Sequence, residues 1–161
     1  MTDLHTPIPS TDERVLAALS HISALLPMMG VIAPIVIWVT QREKSKFVAF
    51  QSLQALAYQL VMIVAWILGM GCYMFSIFII FAGMFIGTAT ESSGWSVAIM
   101  VMTSLSPLFV FGVIILFGLA FISYGVVGAV NVFQGKPFRY IILGERIERY
   151  LQPMDEADKP L

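Results

Sequence analysis

The sequence predicts an all-α integral membrane protein with three, or alternatively four, long or kinked transmembrane helices and a C-terminal amphipathic interfacial helix. Two observations carry that prediction. The chain has 161 residues, of which 58% are hydrophobic and 12% charged; an ordinary soluble domain is roughly 45–50% apolar and about 25% charged. The charge is also unevenly placed, because no Asp, Glu, Lys or Arg occurs between Lys46 and Glu91 or between Glu91 and Lys136. Each gap holds 44 residues, and a membrane-spanning helix needs only about 20.

Residues 1–11 read as a flexible polar tail containing Pro7 and Pro9. A single helical membrane domain follows over residues 12–152. Ser10, Thr11 or Asp12 can cap its first helix, with Glu13 and Arg14 in the opening turn. The tail lacks a basic leader, and the apolar run after it is too long for a signal segment, so it reads as retained.

The first hydrophobic element covers residues 15–40 and contains Pro27, Gly30 and Pro34. Proline inside a helix frees a carbonyl and bends the axis. A kinked crossing is the preferred reading; the alternative is a re-entrant hairpin of two half-helices, tolerated where protein covers the broken backbone.

After the basic loop QREKSK, the second element covers 47–90 and the third 97–133, separated by the turn ESSGWS. A helix of 44 residues would reach some 66 Å, about twice the hydrocarbon thickness. Gly69, Gly71, Gly83 and Gly87 are candidate breaks in the second element, and Ser104, Ser106, Pro107 and Gly112 in the third. Splitting each run in two would give five crossings, but no polar residue marks the turns this needs.

Over 139–152, Tyr140, Leu143, Ile147, Tyr150 and Leu151 recur at helical spacing with Arg and Glu between them, which predicts the amphipathic helix. Residues 153–161 read as a disordered tail.

Arg42, Lys44 and Lys46 lie in one loop, and Lys136, Arg139, Arg146 and Arg149 follow the last apolar run. The positive-inside rule places both groups in the cytoplasm, joined by an even number of crossings. If the first element crosses once, the amino terminus is outside.

The second element opens with a polar stripe. Gln51, Gln54 and Tyr58 share one helical face, with Gln59 and Ser52 on the flank. An amide facing lipid would cost several kcal/mol unpaired, so the stripe faces protein or water. It is either glue between helices near the cytoplasmic interface or the wall of a vestibule or partner surface. His21, Asn131, Arg139 and Tyr140 are candidate helix-packing or partner contacts. The topology makes these separable: in a single crossing His21 sits at the opposite interface from Gln51, whereas a hairpin brings the two together.

No catalytic, metal or cofactor site is expected. His21 has only His5 as a second histidine, Cys72 is the one cysteine, and Glu91 is a lone carboxylate in a turn. Paired carboxylates, nucleophile elbows, phosphate loops and zinc motifs do not occur, and no basic face suits nucleic acid. The expected partners are the lipid bilayer and another membrane protein or a second copy of the chain.

The segment LSHISALLPMMGVIAPIVIWVTQREKSKFVAFQSLQALAYQ, taken with the terminal NVFQGKPFRYIILGERI, resembles the Tic-twenty-like family of small bacterial integral membrane proteins, distant relatives of a chloroplast inner-envelope import component. The matching features are LSHxSAL, Pro34 to Trp38, the basic loop, Gln54-Ala55-Leu56 with Gln59, and Gly135 to Tyr140. Many members carry a His where this chain has Gln51. The resemblance implies a multi-pass protein of the bacterial inner membrane with a cytoplasmic C-terminus. The function expected is that of a non-enzymatic scaffold or accessory subunit, with a part in protein translocation or small-solute transport as the alternative.

Overall fold

The computed structural model describes residues 8–26, 29–87, 94–136, 138–141, 144 and 147. Helix α1 spans Thr11–Ile22, α2 Ile32–Gln41, α3 Lys46–Gly87 and α4 Gly94–Phe133, with a 3-10 turn over Ser23–Leu25. No strand occurs among the described residues.

The second and third apolar runs each become one helix. The glycines of α3 do not interrupt it, and α4 continues through Pro107. Proline at 107 cannot donate to the carbonyl of Thr103, and the Ser106 hydroxyl supplies the missing donor at 2.8 Å. The stretches Lys46–Phe85 and Ser96–Phe133 are long and apolar enough to cross a membrane.

The first apolar run is not one helix. It divides into α1, of 12 residues, and α2, of 10. At about 1.5 Å per residue these reach roughly 18 and 15 Å, short of the hydrocarbon core of about 30 Å. The expectation of a third long crossing over 15–40 therefore finds no third long helix among the described residues.

Local chemistry explains the division. Ser10 caps α1 reciprocally: its backbone N–H donates to Glu13 Oε2 at 2.7 Å, and Glu13 N–H donates to Ser10 Oγ at 3.3 Å. Pro34 stands in the first turn of α2, where its missing N–H would have no helical partner, so it opens a helix and does not bend one. Gly30 is required between the two. A Cβ there would come within 3.0 Å of Gln59 Oε1, 2.8 Å of Leu26 O and still nearer Ser23 O.

The chain forms two compact units, Met1–Val61 with Phe121–Leu161, and Met62–Ala120. In the first, α1 packs on α2, Ser45 caps α3 by accepting from Val48 N–H at 3.3 Å, and the turn after α4 carries Gly135. That glycine has φ +76°. Lys136 N–H donates to Asn131 O and Gly135 N–H to Val132 O, the paired bonds of a left-handed helix stop. A Cβ on Gly135 would lie 2.9 Å from Arg14 Cζ, so the start of α1 meets the end of α4.

In the second unit most large side chains, such as Phe78, Phe81, Leu108 and Phe109, are exposed. Trp66 packs on Gly118, where a Cβ would sit 3.4 Å from its ring.

The amphipathic helix expected over 139–152 lies mostly outside the described residues, as do 1–7, Glu91 and the tail over 153–161. Its expected start differs: residues 138–140 are not helical. Gly144 and Ile147 are buried and helical, and Gly144 N–H donates to Tyr140 O at 2.9 Å.

Candidate functional site

The polar stripe of α3 is buried inside the first unit, where it grips two other elements by hydrogen bonds. Gln51, Ser52, Gln54 and Gln59 are each no more than 2% exposed, and Ser20 and His21 of α1 no more than 1%.

One set of bonds ties α3 to α1. Gln59 Nε2 donates to Ser20 O at 3.2 Å and to Ser23 Oγ at 2.9 Å, and Ser20 and Ser52 share a hydroxyl bond of 2.9 Å. The Ser23 hydroxyl donates to Ser20 O at 2.8 Å, so turning the Gln59 amide over would set carbonyl against carbonyl. In the orientation adopted, Gln59 Oε1 is buried without a partner among the described residues, and a Cβ on Gly30 would come within 3.0 Å of it.

A second set holds the segment that follows α4. Gln51 Nε2 and Gln54 Nε2 both donate to Phe138 O, at 3.1 and 3.3 Å, and Tyr140 N–H donates to Gln54 Oε1 at 3.0 Å. The two amides thus read the backbone of residues 138–140 as a neighbouring strand would. The Tyr140 ring stacks on Tyr58 with centroids 4.2 Å apart and planes 8° apart. Tyr124 meets both rings edge-on. Tyr58 in turn donates its hydroxyl to Phe121 O of α4 at 2.8 Å.

His21 joins the two sets. Its Nε2 lies 3.1 Å from Gln51 Oε1 and its Nδ1 lies 3.0 Å from Tyr140 Oη. Because Gln51 donates through Nε2 to Phe138 O, its oxygen faces the imidazole and can only accept. Nε2 therefore carries a proton, and in the neutral ring Nδ1 accepts from Tyr140. Burial pushes its pKa from 6.5 down to about 4, against a smaller upward effect of the Gln51 bond. Burial likewise raises the Tyr140 hydroxyl, helped by Tyr58 and Tyr124.

The arrangement joins Gln51, Gln54, Tyr58, Gln59, His21 and Tyr140 in one clasp. It does not include Asn131, whose side chain donates to Val127 O of its own helix at 2.8 Å. Arg139 is exposed and lies between the two residues the amides hold. The residues that sequence reasoning missed are Phe138 and Phe121, which act through carbonyls, and Tyr124, an aromatic among many. A backbone carbonyl leaves no mark in a sequence. Gly128 also borders the clasp: a Cβ there would come 2.8 Å from Phe138 and 3.2 Å from His21 Nδ1.

The His21–Gln51 bond is the contact that a single crossing of the first element forbids. Chemically, the clasp offers a neutral imidazole with both nitrogens engaged and amides already bonded to protein. Among the described residues no three His, Cys, Asp or Glu side chains converge on a metal-sized site.

No curated protein and no solved structure gives a significant match to the chain. The family comparison overturns the Tic-twenty-like resemblance. Among the residues that suggested it, Ser20, His21, Ser23, Gln54, Gln59 and Tyr140 build the clasp. The match runs over residues 12–147, from the first turn of α1 to the buried Ile147, and the chain belongs to the MamF/MmsF family, the magnetosome magnetite crystal formation protein family.

Proposed function

We propose that the chain is a non-enzymatic membrane component of the magnetosome, acting in magnetite crystal formation as a scaffold or accessory subunit for other membrane proteins. The family match over residues 12–147 carries this reading. The clasp supports it from the other direction, since its polar groups are engaged in holding the fold and none is presented to a substrate. The transport alternative loses its footing for the same reason: the Gln and Tyr stripe is filled by residues 138–140 and does not line a vestibule.

Two crossings, by α3 and α4, with α1 and α2 as a re-entrant hairpin, fit the geometry best. Arg14 lies against Gly135, and a hydrogen bond from Ser45 is the main cause holding the Glu13 carboxyl below its ordinary range. The starts of α1 and α3 and the end of α4 thus share one face, and the positive-inside rule makes that face cytoplasmic. The membrane is that of the magnetosome in this reading, in place of a general inner-membrane location.

Deleting the gene in its host and imaging the crystals by electron microscopy tests the role. Crystals of altered size or shape are expected, and an unchanged population would overturn it. Single cysteines at positions 11, 44 and 136 in a Cys72→Ala background test the topology. All three should label from one side; labelling of position 11 from the other side would restore a single crossing by the first element.

A further inference from the structure

The imidazole of His21 is 1% exposed and fills the junction of α1, α3 and residues 138–140. Its fastening works in one protonation state. Neutral, it donates to Gln51 and accepts from Tyr140. Protonated, it would turn an N–H toward the Tyr140 oxygen, and the Tyr140 hydroxyl proton would need another acceptor. Among the described residues that hydroxyl has no acceptor besides Nδ1, and a Cβ on Gly128 would already lie 3.2 Å from Nδ1 and 2.8 Å from the Phe138 ring.

The surroundings would not welcome the charge. Gln51 meets the ring from α3, Gly128 from α4, and Phe138 and Tyr140 from the following segment; Gln54, Tyr58 and Tyr124 touch those last two residues. On α1, Glu13 is two turns away and turned to Ser10 and Ser45, and Arg14 lies against Gly135. Arg139 sits on the exposed side of the held segment. The described hydrogen bonds and ring contacts of His21 include no carboxylate; on α1, Glu13 is engaged with Ser10 and Ser45, and Asp12 stands beside it in the first turn.

We propose that His21 is the catch of a proton-operated latch: the neutral ring holds residues 138–141 on α1 and α3, and protonation lets that segment go. The latch is closed above the ordinary histidine pKa of 6.5 and opens as pH falls from 6.5 toward about 4, the direction in which burial has moved the ring. Opening uncovers the Gln51 and Gln54 amides and the face of the Tyr58 ring, the groups with which the chain grips its own backbone. The inference rests on the clasp alone and stands apart from the proposed role in crystal formation.

The test uses the full chain in lipid nanodiscs with a spin label at position 141, which is 84% exposed, in an Ile141→Cys, Cys72→Ala background. The mobile fraction of the label should rise as pH is lowered from about 7 to about 4, with a midpoint below that of a free histidine. The His21→Gln variant should show no pH response over that range. Tyr140→Phe removes the donor that favours the neutral ring, and should move the midpoint upward. A label that stays immobile at about pH 4, an unshifted midpoint in Tyr140→Phe, or the same titration in His21→Gln would each overturn the latch.

Discussion

Polar side chains satisfy themselves differently in the two units. In the unit containing Met62–Ala120, described hydroxyls bond their own helix: Ser76 to Tyr73 O, Thr103 to Ile99 O, Ser104 to Val101 O and Ser106 to Thr103 O. In the other unit the glutamines and tyrosines bond across elements, to α1, to α4 and to residues 138–140. Most glycines divide in the same way, Gly69 and Gly118 excepted, where a Cβ would meet Ile114 at 3.2 Å and Trp66 at 3.4 Å. A Cβ on Gly71, Gly83 or Gly112 would meet nothing within 4 Å, whereas on Gly30, Gly125 or Gly128 it would press on a neighbour. A hydroxyl three or four residues from a carbonyl needs no tertiary structure to be paired. An amide two or three bonds beyond its helix does. The first kind of residue is compatible with lipid, and the second kind specifies a fold.

The largest effect should follow from Gln54→Leu. It removes a donor to Phe138 O and leaves Tyr140 N–H buried without an acceptor. Each orphaned buried group costs about 1–3 kcal/mol, so a loss of about 2–4 kcal/mol is expected in the melting of the detergent-solubilised chain. Ser104→Ala should stay within about 0.5 kcal/mol of the parent, because it removes an exposed bond within one helix. Equal losses from the two would erase the distinction between the units.

Gly128→Ala should come next. The added methyl meets Phe138 Cε1 at 2.8 Å and His21 Nδ1 at 3.2 Å, and overpacking of this kind costs about 1–3 kcal/mol. Gly71→Ala meets nothing within 4 Å and should stabilise α3 by about 0.5–1 kcal/mol through helix propensity. Opposite signs in one melting experiment would sharpen the comparison; two losses would mean that the surface near Gly71 is packed against something in the membrane.

Much of this was legible in the sequence. The two charge gaps mark α3 and α4, and the spacing of Gln51, Gln54 and Tyr58 puts them on one face that cannot face lipid. Pro27, Gly30 and Pro34 signal a break but not its form, since a proline reads alike in the first turn of a new helix and at the kink of an old one. Contact between His21 and Gln51 decides between those forms, and it depends on tertiary structure. The partners of the stripe were the least legible. Two of its amides bind the carbonyl of Phe138, and any residue at that position would offer the same oxygen.

The smallest effect should come from Asn131→Leu, and it bears most directly on the boundary of the clasp. Asn131 belongs to the unit that holds the clasp, and its place late in α4 made it a natural partner for the stripe. Its amide instead donates to Val127 O, one turn back, in the manner of the hydroxyls of the other unit. If the division lies between residues that bond their own helix and residues that bond across, Asn131 belongs with Ser104 and not with Gln54. Its replacement by leucine then removes one partly exposed local bond, orphans no buried group, and should change stability by less than about 0.5 kcal/mol. The backbone stop at Gly135 uses the Asn131 carbonyl and not its side chain, so the turn into residues 138–140 should survive. A loss approaching that of Gln54→Leu would place the Asn131 amide in the clasp after all, and the rule that sorts polar groups by where they bond would fail at the residue closest to its edge.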